Sequence, residues 1–154
     1  MSWKDYFEYD NRNKYHYYKD RNVVSLPDNL PMPPITNMSW LFVDCHQLKD
    51  ISALANWDVS KVTNMQGMFF HCHQLKDISA LANWNTANVK DIRCMFGLCI
   101  QLKDISALAN WDVSNVENMQ VMFSDCHQLQ NISALSDWDF SNVRDTRTMF
   151  YGCE

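Results

Sequence analysis

The sequence predicts an α/β solenoid of the leucine-rich-repeat type, a stack of 27-residue coils with one short strand and one short helix in each. Three observations carry that expectation. The string "CHQLKDISALANW" at residues 45–57 returns unchanged at 72–84, then as "CIQLKDISALANW" at 99–111 and "CHQLQNISALSDW" at 126–138. Cys45, Cys72, Cys99, Cys126 and Cys153 keep the same step of 27. A fixed period of 20–50 residues is the mark of a stacked repeat architecture, because one such unit cannot cover its own apolar side. Third, the apolar spacing changes character inside each unit, so each unit has two structurally different halves.

The first half, "QLKDISALANWDVS", places Leu48, Ile51, Leu54 and Trp57 three residues apart. This half reads as a short strand over 49–52, then a turn through 53–56 that brings Trp57 inward. The second half has Val62, Met65, Phe69 and Cys72, spaced as one face of a helix. Ser60 stands where it could cap that helix, and Ser114 with Glu117 has the form of a capping box. Helices are therefore expected near 61–70, 88–97, 115–124 and 142–151, with Asp58, Asp112 and Asp139 in the turns before three of them. One strand and one helix per 20–29 residues is how leucine-rich repeats are built.

The organisation follows. Residues 1–34 form an aromatic-rich N-terminal cap and a linker, with all four prolines between Pro27 and Pro34. Residues 35–154 form the repeat solenoid: a half unit at 35–45, then full units at 46–72, 73–99, 100–126 and 127–153. Trp57, Trp84, Trp111 and Trp138 hold a fixed repeat position and are assigned to the core rather than to a sugar-stacking row. Val143, Met149 and Phe150 would lie against a coil without a successor, so this end is expected to be covered, either by a second copy of the chain or by the physiological partner.

Composition narrows the function classes. The net charge is −5, and the repeats carry all of that excess. Phosphate-binding surfaces need clustered Lys and Arg, so nucleic acid is an unfavoured partner and a basic protein a permitted one. No apolar run approaches the roughly 20 residues of a membrane span, and "MSWKDYFEYDNRNK" lacks an apolar leader core. The expected location is cytoplasmic; the cell surface is the alternative if a leader has been removed. The periodic cysteines are expected reduced, as buried small hydrophobes, with Cys94 off the ladder and more exposed.

Catalysis needs converging groups, whereas His, Cys and Asp here recur as columns. No enzymatic activity and no cofactor are expected. "HCH" at 71–73 suggests zinc, but a structural site wants four converging ligands and neighbouring residues point apart, so no metal is expected. His46, His73 and His127 are placed on a rim. Lys49, Lys76 and Lys103 beside Asp50, Asp77 and Asp104 read as a solvated charge ladder. The positions that the repeat leaves free are the informative ones. Thr63, Lys90, Glu117 and Arg144 share one of them; Gln66, Arg93, Gln120 and Arg147 share another; His71 and Asp125 share a third. These ten residues are the candidate partner-binding set, because solenoids present extended surfaces to other macromolecules.

The string "NWDVSNVENMQVMFSDC" at 110–126 resembles the repeat of BspA-like leucine-rich-repeat surface proteins, also seen in mycoplasma surface lipoproteins. The resemblance covers residues 35–154. It implies a bacterial solenoid that binds macromolecules, often at the cell surface, and it implies no catalytic residues. The function expected first, from the absent leader, the small size and the acidic repeats, is a module that binds or neutralises an intracellular protein, as an immunity protein does. The alternative, which the resemblance alone implies, is a surface adhesion or host-interaction module.

Overall fold

The structure is a computed structural model and describes residues 1–153. The 27-residue units do pack one on the next, but not as helix and strand. Among the described residues there is no α-helix, and the regular elements are few. Two strands, β1 (Phe7–Asp10) and β2 (Tyr15–Tyr18), form an antiparallel hairpin near the N-terminus. Five short 3-10 helices complete the set, at Trp3–Asp5, Ser52–Asn56, Ser79–Leu81, Ser106–Leu108 and Ser133–Leu135. The α/β leucine-rich-repeat solenoid is thereby overturned.

The backbone hydrogen bonds of residues 62–72 show why the helical spacing misled. In an α-helix every N–H would reach back four residues. Here the amides of Met65, Gly67, Phe69 and His71 donate to Asp91, Arg93, Met95 and Gly97 of the following unit. Those of Met68, Phe70 and Cys72 donate three residues back, to Met65, Gly67 and Phe69. The chain is thus a run of consecutive turns, tied alternately to itself and to its neighbour. A run of such turns rotates the side-chain direction once every three to four residues, so it buries the same positions a helix would. Left-handed residues recur at two repeat positions, Trp40, Gly67, Cys94, Val121 and Thr148 at one, Asp44, His71, Leu98, Asp125 and Gly152 at the other. That conformation cannot be continued into a right-handed helix.

The helix caps fail for the same reason. Asp58 Oδ1 accepts the amide of Ser60, and Ser114 Oγ donates to Asp112, so neither serine caps anything. Glu117 makes no capping box; its amide donates to the carbonyl of Lys90 in the preceding unit. The aspartates just upstream do form the turns expected of them.

The strand expected over 49–52 is absent, and Asp50 makes only a single bridge, to Ser25. Instead Asp50 Oδ1 accepts the amide of Ser52 at 2.8 Å and opens the 3-10 turn that follows. The three-residue spacing of Leu48, Ile51, Leu54 and Trp57 matches this geometry, since a 3-10 helix has 3.0 residues per turn. Parallel pairing occurs instead in the other half, where single bridges join Asn37, Asn64, Asp91, Asn118 and Asp145 in sequence.

The core consists of columns of equivalent side chains. Phe42, Phe69, Phe96, Phe123 and Phe150 stack nearly parallel, with centroids 5.6, 5.7, 5.8 and 5.6 Å apart. Trp57, Trp84, Trp111 and Trp138 are buried as expected. Cys45, Cys72, Cys99 and Cys126 are buried and free, with no disulfide. The thiols of Cys72, Cys99, Cys126 and Cys153 donate to the carbonyls of Phe42, Phe69, Phe96 and Phe123 at 3.1–3.2 Å.

The N-terminal segment covers the first unit. Phe7 and Tyr18 pack on Phe42, and Phe7 also meets Trp57. The proline segment contributes more than a connection. Leu26 and Leu30 are buried, and the Trp57 indole donates to the Leu30 carbonyl at 2.9 Å. At the other end Met149 is buried, contrary to expectation, while Ile132, Phe140 and Tyr151 are the large apolar side chains left exposed.

Candidate functional site

The ladder that aligns the core also aligns the residues the repeat leaves free. The amide of Lys90 donates to the Thr63 carbonyl, that of Glu117 to Lys90, and that of Arg144 to Glu117. These four side chains are exposed and form one continuous row. Arg144 and Glu117 approach to 3.5 Å across it. The row beside it carries Gln66, Arg93, Gln120 and Arg147. Each of these amides is held by the side chain two residues earlier, Asn64, Asp91, Asn118 or Asp145. Arg147 pairs with Asp145 at 2.7 Å, and this contact holds the Asp145 carboxyl below its ordinary range. Asp91, with Arg93 Nε 3.1 Å away, is buried enough that its carboxyl is pushed up instead. Eight of the ten predicted residues thus lie on two adjacent rows.

His71 and Asp125 belong elsewhere. They occupy the rim position shared with Asp44, where a left-handed backbone turns the side chain outward. His71 Nδ1 lies 2.8 Å from Asp44 Oδ1, and His46 Nε2 lies 3.3 Å from His71 Nδ1. The His73 ring stacks on His46 and meets His71 edge-on. Partial burial, then the two neighbouring imidazoles, pull the His73 pKa down. Cys72 points into the core between them, so "HCH" alternates outward, inward, outward. Asp44 and His46 had no part in the predicted set. Their signal lay in the register: Asp44 is one period before His71, and His46 one period before His73.

The charge ladder is only partly as expected. Lys49, Lys76 and Lys103 are exposed, but among the described residues none of them forms an ion pair. Asp50, Asp77 and Asp104 spend an oxygen on the amides of Ser52, Ser79 and Ser106, which lowers their carboxyl pKa values.

Fold and surface together define a repeat protein whose repeated apolar positions are buried and in which two sets of variable positions form rows at the surface. The chain belongs to the family described as "Mycoplasma protein of unknown function, DUF285", whose model matches residues 34–154. No curated protein and no solved structure matches it.

Proposed function

We propose that this chain is a non-enzymatic protein-binding module that reads its partner through the row Thr63, Lys90, Glu117 and Arg144 and the row beside it. One observation carries the reading: Thr63, Lys90, Glu117 and Arg144, which differ from unit to unit, are exposed in line, while the repeated apolar positions are buried. A regular backbone then presents a bespoke pattern of charge, and complementary charge is what steers and selects a protein partner. The acidic balance of the repeats favours a partner with a basic surface.

Two settings suit such a module: neutralisation of an intracellular protein, in the manner of an immunity protein, and adhesion at the bacterial surface. The resemblance of residues 110–126 to BspA-like repeats favours the second. Exchanging the two charges, Glu117→Arg with Arg144→Glu, keeps their mutual pair but inverts the presented pattern. Affinity capture from native cells should lose the partner with this double variant at an unchanged melting temperature. Equal capture by both forms would refute the assignment of the row. Fractionation of the same cells assigns the setting.

The exposed Ile132, Phe140 and Tyr151 support a second contact, self-association through these apolar side chains.

A further inference from the structure

Two successive units bring ligand-bearing residues together at one rim. The first unit supplies Asp44 and His46, the next His71 and His73. Both Asp44 and His71 have left-handed backbones, at φ 60 and 69, which aim the two side chains out at the same place. Three donor atoms then converge: Asp44 Oδ1, His71 Nδ1 and His46 Nε2, separated by 2.8, 3.3 and 3.8 Å. A tetrahedral ion with ligands at about 2.0–2.2 Å needs its donors about 3.3–3.5 Å apart, and these separations bracket that value.

The surroundings hold the donors in place. Arg21 Nη1 lies 3.3 Å from the other carboxylate oxygen, Asp44 Oδ2, and also donates to the Val43 carbonyl. Its guanidinium rests on the Tyr17 ring, 4.9 Å from the centroid. This contact fixes the carboxylate while leaving Oδ1 turned to the imidazoles, as a partner of a metal ligand does. The His73 ring packs on both other imidazoles and limits their rotation.

The geometry points to a metal site: Asp44 Oδ1, His46 Nε2 and His71 Nδ1 bind one zinc(II) ion at the rim between the first two units. Two imidazoles among three donors select a borderline transition ion over magnesium or calcium, which take oxygen. The three side chains are 41, 46 and 33% exposed, so water completes the coordination. The neutral His71 ring binds the ion through the Nδ1 lone pair and carries its single proton on Nε2, and Asp44 Oδ1 then meets the ion in place of the His71 ring nitrogen.

The chain carries its own control. Asp125 and His127 repeat the Asp44 and His46 pair, with 3.7 Å between Oδ1 and Nε2. There the position one period after Asp125 is Gly152, and those one period before are Leu98 and Ile100. Among the described residues only two donors meet there, too few to hold an ion firmly.

Calorimetric titration of the full, tag-free chain with zinc chloride tests the site. One ion per chain is expected, with at least about tenfold weaker binding in His71→Asn and in His46→Ala. Asn tolerates the left-handed backbone at 71, and matching melting curves confirm folding. His127→Ala should bind as the parent does. Substitution by cobalt(II) should give a spectrum without a thiolate charge-transfer band. Absence of saturable binding, binding that survives both substitutions, or a thiolate band would each overturn the site.

Discussion

The indole nitrogen of Trp84 donates to the main-chain oxygen of Leu54, 2.9 Å away and 30 residues earlier in the chain. Trp111 and Trp138 do the same to Leu81 and Leu108. Each unit is therefore joined to the one before it by a buried polar contact as well as by packing. The Leu54 carbonyl also accepts the Trp57 amide at 3.1 Å, so the indole occupies its second acceptor site.

Removing that side chain should be costly. Trp84→Ala is expected to destabilise by about 3–5 kcal/mol, from the emptied volume in a central column. Trp84→Phe fills most of the space but removes the indole's hydrogen bond, leaving the Leu54 carbonyl to the Trp57 amide alone, and should cost about 0.5–1.5 kcal/mol. Urea unfolding of the three proteins measures both, and equal midpoints for parent and Trp84→Phe would show that the bond contributes nothing.

The thiols should divide into two classes. Cys45, Cys72, Cys99 and Cys126 are buried, whereas Cys94 and Cys153 are partly exposed. A native-state titration with a disulfide reagent should modify Cys94 and Cys153 first and the other four only on unfolding. Fast reaction at all six would contradict the closed core.

Alkali should weaken the fold. Burial pushes Cys45 and Cys99 up from an ordinary 9.0 to about 12. Above pH 9 the unfolded chain releases thiol protons that the folded chain keeps, so the unfolded state gains. Stability is fully present below that pH and falls as pH rises from 9 toward 12. Tyr18, raised by burial from 10.0 to about 12, adds to the loss above pH 10. Urea midpoints at pH 7.5 and pH 10.5 should differ accordingly, and a flat profile would refute the shifts.

Gly67 is a position where a methyl group does harm. Its φ is +60, and an added Cβ would collide with the ring of Trp40 in the preceding unit. Gly67→Ala should lower stability by about 1–3 kcal/mol, read as a fall in melting temperature. An unchanged melt would mean that Trp40 moves aside freely.

The exposed apolar side chains have their own test. Light scattering over a concentration series should show self-association of the parent, reduced by Tyr151→Asp, which changes a side chain 68% exposed. A monomer at every concentration, unchanged by the substitution, would refute self-association through them.

The sequence by itself determined the period, the register and the occupants of the core. Trp57 to Trp138, the phenylalanines and the cysteines repeat, and a repeated apolar position in stacked units must face its own copies. It also singled out the variable row Thr63, Lys90, Glu117 and Arg144, which is exposed. It did not determine the backbone. Val62, Met65, Phe69 and Cys72 fit a helix face and a run of turns equally, because both turn the side chain inward every three to four residues. What separates the two is where the amides of Met65, Gly67, Phe69 and His71 find acceptors, and those lie in the next unit. The rim cluster was hidden for the same reason. Asp44 and His71 are 27 residues apart, and only stacking, with both residues in the left-handed conformation, brings their side chains within hydrogen-bonding distance.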